Sequence, residues 1–349
     1  MRPDGQWGPV VTALHRFGVA RSTSSALTRP LRWLAWGAWL SLLACQSPTD
    51  RSGRARTLGR LWGWQAWRRT VRRPIEVVLP TGRLWFPPWS TLAGITAAAG
   101  MHEPAEQLFV RSYLQPGDGV VDVGANVGIY TVMCGTAGAR VWAFEPSTQA
   151  RAALNRNIDL NHLGARVKLF PVALGASNGR ASLTTGLDGA NHLVDLNHAV
   201  DAAAPDAHET VELRPLDSIV DAERSWFGES GIALLKVDAE GHDQDVLRGA
   251  DATIRGDLPV IIVETWAGGT SLRTFLAERG YRVYRFDVAR RDLVEYPPDW
   301  AGQANFIAVA DRRLAAVRSR LQAGTQPEVT APVIHWRTPA HGSRSSTSR

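Results

Sequence analysis

A doubly wound α/β fold, one mostly parallel sheet of seven strands with helices on both faces, is what the 349-residue sequence predicts. Three observations carry that expectation. The apolar run 120–123, interrupted by Asp122, feeds a turn holding Gly124, Asn126 and Gly128 and then a helix-competent segment, which reads as strand, tight loop and helix. A second apolar run, 140–144, closes on Glu145, 17 residues past Gly128. Strand and helix patterns then alternate as far as residue 311, one domain's length of chain.

Taken in order, residues 1–30 hold Gly, Pro, Ser, Thr and Arg with little apolar periodicity, so they are expected to be disordered or a wrongly assigned start. The Trp-rich segment 30–45 carries an apolar run of about 13 residues, short of the roughly 20 that span a bilayer. It has the shape of a signal-sequence core, and its end at Cys45 resembles a lipoprotein cleavage box. Residues 54–73 read as a basic helix whose Trp62, Trp64 and Trp67 define no single face. Such a helix can lie on an anionic membrane or pack on the core with its arginines reaching out, and the sequence leaves both open. A β-hairpin with its turn at 80–82 and a helix over 103–114, with Pro104 in its first turn, lead into the first core strand.

Beyond Glu145, Ser147 is placed to cap a helix over 147–160, and a third strand follows at 167–174. Residues 180–185 and 210–213 form a short strand pair. The polar segment between them, 186–209, carries His192, His198 and His208, and because their spacing matches no ligand pattern it is expected to be a mobile lid. The fourth strand and its terminal loop occupy 232–241, a helix opens at 244, and the fifth strand, 259–266, ends on Glu264. A helix at 272–278 precedes two last strands, 281–286 and 305–309. Their Pro-bearing connection is too short for a crossover helix, so they are expected to run antiparallel. Three parts follow: a basic, partly disordered extension (1–74), a catalytic domain (75–313), and a basic tail (314–349) where a short helix fades into disorder.

Charge separates the ends from the body. Residues 1–75 hold 13 Arg against 2 Asp, and residues 311–349 hold 7 Arg against Asp311 and Glu328. With a total of +6, the body between them is net −10. An acidic body argues against a nucleic-acid enzyme, whose substrate face should be positive. Cys45 and Cys134 are too few and too far apart for a disulfide framework or a thiolate zinc site.

The glycine turn departs from a dinucleotide fingerprint, which places its middle glycine where Asn126 stands. Asp122 before the turn repels phosphate and attracts a cation. S-adenosylmethionine satisfies this chemistry: its ammonium suits Asp122, its carboxylate suits loop amides and a helix N-terminus, and its ribose diol suits Glu145. Because that cofactor is made inside cells, the chain is expected to be cytoplasmic, with peripheral membrane contact through the N-terminal segment as a further expectation.

In an open α/β sheet the ligand lies beyond the carboxyl ends of the strands where their order reverses. That places Lys236, Asp238, Glu240, Gly241 and His242 beside the glycine turn. A lysine among acids is equally a structural ion pair. The full array, DVGANVGIYT from Asp122, AFEP from Ala143, VALG from Val172, Leu216–Asp217, LLKVDAEGHDQDVLRGA from Leu234 and IIVE from Ile261, resembles the FkbM-type S-adenosylmethionine-dependent methyltransferases over about residues 100–311. The resemblance implies a Rossmann-like class I methyltransferase fold and methyl transfer to a hydroxyl of a sugar or polyketide-like metabolite. It also implies cofactor binding by Asp122, Gly124, Asn126, Gly128 and Glu145, and a lysine–acid–glycine element at Lys236, Asp238, Glu240 and Gly241. His242–Asp243 stands where a small residue and Glu are usual.

In-line transfer asks for a base near the acceptor hydroxyl, and His242, Asp238 and Glu240 are the candidates, histidine being best matched to neutral pH. No residue is assigned as a metal ligand. A divalent cation held by Asp238 and Glu264 is a subordinate reading. The competing functions are a catalytically silent, membrane-associated scaffold of the same fold and, against Asn126, a nicotinamide oxidoreductase.

Overall fold

The described part of the arginine-rich N-terminal segment begins as a helix, α1 (Arg54–Thr70). Thr57, Leu61, Trp64 and Gln65 recur at helical spacing and are buried. They pack on α2 (Leu92–Ala99), whose Gly94 lies against Leu61 and Trp64. In this computed structural model, which describes residues 54–185, 192–194, 208–265, 270–297, 300, 304–324 and 332–336, the described helix therefore takes the core-packing alternative. The apolar segment 30–45 and most of the expected lid, His198 included, lie outside the described residues. Among the described residues no helix is long and apolar enough to cross a membrane.

Between α1 and α2 the expected hairpin forms from β1 (Ile75–Leu79) and β2 (Gly82–Phe86). After α3 (Pro104–Tyr113) the main sheet begins with β3 (Gly119–Val123), α4 (Ile129–Thr136), β4 (Arg140–Phe144), α5 (Thr148–Leu160) and β5 (Val167–Phe170). Ser147 caps α5 as its sequence position implies, its Oγ accepting from Ala150 N. The third strand does not run through to 174. Pro171 has no N–H to donate, and beyond it β6 (Ala173–Leu174) joins a second sheet with β7 (Gly179–Thr184), β8 (Leu193–Val194) and β9 (His208–Arg214).

The chain returns through α6 (Leu216–Glu223) to β10 (Ile232–Val237), then α7 (Asp243–Arg248), α8 (Asp251–Asp257), β11 (Val260–Thr265), α9 (Thr270–Ala277), β12 (Tyr281–Asp287), β13 (Asp292–Glu295) and β14 (Ala304–Ala310). The main sheet has the order β13-β12-β14-β11-β10-β3-β4-β5. Strands β11, β10, β3, β4 and β5 are parallel, and β14 and β12 close the sheet antiparallel as expected. The sheet has eight strands rather than seven. The extra one, β13, folds back on β12 because Asp287 Oδ1 accepts from Ala289 N and Arg290 N while Arg291 takes φ +53°, which makes a tight turn of a stretch read as a loop.

Two cores flank the sheet. One gathers α4, α5, the hairpin, α3 and α10 (Leu314–Ala323), and the other gathers α6–α9. Beyond residue 313 the expected short helix is α10, β15 (Val333–Trp336) pairs antiparallel with β1, and Arg320 Nη1 bonds Asp118 Oδ2 at 2.8 Å. Ile334 packs on the first core, and a four-residue run in a Pro- and Arg-bearing tail was too short a signal to predict a strand.

Candidate functional site

Strands β3 and β10 are neighbours, and the chain leaves them toward opposite edges of the sheet, so their carboxyl ends form the topological switch point. Gly124 at the end of β3 (φ +72°) lies so close to β10 that a Cβ there would sit 1.9 Å from Asp238 O. The glycine turn and the lysine–acid segment are therefore one site. Asn126 (φ +50°) and Gly128 (φ +94°) complete the turn, and a Cβ on Gly128 would meet Leu154 at 2.4 Å.

Glu145 ties this turn to the next crossover: Asn126 N donates to its Oε2 and Ser147 N to its Oε1, both at 2.8 Å. Burial lifts its pKa to about 7, against the pull of those two amides. Gly124 N and Ala125 N donate to Phe144 O, and Gly128 N to Ala125 O. These amides, with that of Asn126, are engaged within the protein and are not free to receive a ligand's carboxylate. Asp122 is 1 % exposed. Its Oδ2 accepts from Thr131 Oγ1 at 2.6 Å, and its Oδ1 has no partner among the described residues. Burial raises its pKa, and Lys236, its register partner on β10, opposes the rise.

Lys236 is the cation of the site. Its Nζ bonds Asp238 Oδ2 at 2.9 Å and lies 4.7 Å from the centre of the Tyr130 ring. Burial alone would lower its pKa, but Asp238, Asp122 and Glu103 overcome this and hold the ammonium above its usual range. Oxygens of Asp238, Glu240 and Glu264 lie within 4.8 Å of one another. That spacing could hold a divalent cation, and it equally suits carboxyl groups that share protons. Burial first, then repulsion from Asp238, raises Glu240 to about 9 and Glu264 to about 8.

His242 stands apart from this cluster. Burial lowers its pKa, opposed by Asp245, so the imidazole is neutral at pH 7. Its Nδ1 is buried without a partner among the described residues. The structure thus brings Lys236, Asp238, Glu240 and Glu264 to the glycine turn, with His242 at the head of α7.

Three participants were not among the candidate site residues of the sequence. Glu103 accepts from Tyr130 OH at 2.7 Å and from Asn305 Nδ2 at 2.6 Å, joining residues 202 positions apart. Tyr130 supplies the ring under Lys236. Asp243, the shortened carboxylate, accepts from Ala239 N at 2.9 Å and Gly241 N at 3.3 Å, closing the loop in which Glu240 takes φ +47°. Asp217 is structural: it accepts from Ala252 N, Thr253 N and Thr253 Oγ1 at the start of α8.

The methyltransferase FkbM domain model matches residues 122–283. Methyltransferase sdnD of Sordaria araneosa is 30% identical over 206 residues, covering 52% of this chain and 77% of that protein. The 31-O-demethyl-FK506 methyltransferase FkbM of Streptomyces tacrolimicus is 30% identical over 199 residues, covering 48% of this chain and 75% of that protein. This chain belongs to the FkbM methyltransferase family. A solved methyltransferase FkbM from Methylobacillus flagellatus KT aligns with a TM-score of 0.37 at 18% identity, over 72% of this chain and 60% of that one.

The FkbM-type site stores carboxyl repulsion, which makes its stability depend on pH. Glu240 moves from an ordinary 4.5 to about 9 on folding, so the folded chain binds more protons than the unfolded one between those values. The stabilisation is complete below about 4.5 and is lost as pH rises through about 9. Glu240→Gln is expected to raise stability at pH 9 by about 1–2 kcal/mol, since one pK unit is worth about 1.4 kcal/mol and partial exposure screens most of the shift. It should also flatten the fall in Tm between pH 5 and pH 9, which thermal melts of variant and parent would read.

Proposed function

We propose that this methyltransferase uses S-adenosylmethionine to methylate a hydroxyl group of a sugar or polyketide-like small molecule. The observation that supports this best is the abutment of the glycine turn on the Lys236–Glu240 segment, with Gly124 against Asp238 O. One relative is named a methyltransferase of 31-O-demethyl-FK506, which supports oxygen as the acceptor atom.

The residues present fit the cofactor at Glu145, both of whose oxygens keep a lone pair beyond the one used by a backbone amide, while Gly124 and Gly128 let the turn close onto Asp238 O and Leu154. When bound, the cofactor supplies an electrophilic methyl on sulfur. Glu145 would hold the ribose diol, and Gly124, Asn126 and Gly128 would shape the turn around it. Asp122 would act from inside the fold, holding Thr131 and facing Lys236. The chain's part would be to hold the acceptor hydroxyl against that methyl, and such positioning supplies much of the rate in a transfer of this kind.

The acceptor hydroxyl would give up its proton to a base of the chain as it takes the methyl from sulfur. His242 is neutral at pH 7 and can take it. Glu240 is protonated at pH 7, so it serves as an acceptor of protons only above about 9, and Asp238 is held by Lys236. Within this reading His242 is the best-matched base and the two acids orient the substrate.

The experiment is calorimetric titration of S-adenosylmethionine into the purified chain and into Glu145→Ala, with folding checked by circular dichroism. One-site binding weakened at least tenfold in the variant is the expected result. A folded chain that binds no S-adenosylmethionine would overturn the reading. Binding should be followed by mass spectrometry of sugar and polyketide acceptors, where methylation at nitrogen or carbon alone would remove the oxygen assignment.

A further inference from the structure

The glycine turn is held from a side that no sequence motif marks. Asn157 on α5 is fully buried, and each arm of its amide is engaged. Its Oδ1 accepts from Trp85 N at 2.6 Å, and its Nδ2 donates to Trp85 O at 3.0 Å and to Val127 O at 2.8 Å. Val127 lies between Asn126 and Gly128, two residues in left-handed backbone, so its carbonyl direction sets the turn's shape. One helical turn later, Asn161 makes the same pair of bonds to Arg83 N and Arg83 O, at 2.8 and 2.6 Å, and has no bond to the turn. The two asparagines thus act as a short strand offered to the free edge of β2, and only the first reaches the cofactor turn.

We propose that Asn157 is a positioning residue for the cofactor turn, joining the N-terminal hairpin to Val127 so that the hairpin helps determine the turn's geometry. The inference rests on the cofactor reading above for its functional consequence, while its structural core, the hold on residues 124–128, stands independently. An amide is needed for this. The Oδ1 atom must accept and Nδ2 must donate twice, so the isosteric Asn157→Asp keeps the shape and removes both donations while ionised. Because β1 also pairs with β15, the last strand among the described residues belongs to the same strut.

The test compares Asn157→Asp with Asn161→Asp, which damages the contact to Arg83 and the Asn161 Nδ2 bond to Asn157 O but leaves the Asn157 side-chain bond to Val127 in place. Amide hydrogen exchange of residues 124–128 is the first readout, and S-adenosylmethionine affinity the second. Asn157→Asp is expected to speed exchange in the turn about tenfold or more and to weaken cofactor binding about tenfold. Asn161→Asp should lower Tm while leaving both unchanged. Asn157→Ser, smaller and uncharged, takes the place of Asn157→Asp if the latter does not fold. Unchanged turn exchange in a folded Asn157 variant, or equal effects from the Asn161 variant, would overturn the proposal. Failure of the parent chain to bind the cofactor would count against the cofactor reading alone, since the exchange readout decides the hold on the turn.

Discussion

Lys236→Met is expected to cost about 3–5 kcal/mol of stability and to abolish methyl transfer, because it leaves the buried Asp122 and the half-buried acids around Asp238 without their cation. Lys236 is 5 % exposed and serves three neighbours at once: it bonds Asp238, faces Asp122 across the β3–β10 register, and lies over the Tyr130 ring. Methionine replaces the stem but not the charge, so the loss is electrostatic rather than a cavity. The double variant Lys236→Met/Asp238→Asn should recover part of the stability, since one unpaired carboxylate is then neutral, and should remain inactive. Lys168→Met is the control. Its partner Glu223 and the lysine itself are both more than a third exposed, so the change should stay within about 1 kcal/mol. Urea titrations of the four chains measure these differences. A Lys236→Met chain as stable as its parent would show that the acids of the site discharge themselves by protonation.

Gly124→Ala is the second large effect. The residue has φ +72°, and its new Cβ would sit 1.9 Å from the backbone oxygen of Asp238, where no side-chain rotation relieves the contact. Strands β3 and β10 would have to part at the switch point, at an expected cost above about 3 kcal/mol, with the turn and the acids displaced from one another. Gly117→Ala isolates the backbone part of that cost. Gly117 has φ +90° with open space around it, so only left-handed strain of about 1–2 kcal/mol applies. Thermal melts of the two variants read the difference, and equal destabilisation would mean that the contact with Asp238 contributes nothing.

Both predictions concern residues that stand in sequence motifs, and the motifs announced themselves for local reasons. A parallel strand buried on both faces must be apolar throughout, and the turn after it must carry glycines where strands approach, so 120–128 and 232–241 were readable without coordinates. Ser147 was readable as a cap because capping is a matter of three residues. The doubly wound order follows from the alternation of such units and the right-handed crossover. The eighth strand was not readable, since β13 depends on a turn made by the Asp287 side chain, and β15 depends on an edge that β1 offers from more than 250 residues away.

By itself, then, the sequence determined the sheet, its switch point and the residues gathered there, because these rest on short-range periodicity and turn chemistry. Tertiary structure alone decided which of those residues are exposed, which are paired and which hold protons. Asp122 lies inside the fold with Thr131, Glu145 is bound by two backbone amides, and Lys236 stacks on Tyr130 while Glu103 joins Tyr130 to Asn305. Burial and distance between charges are sums over elements remote in the chain, and no local pattern contains them.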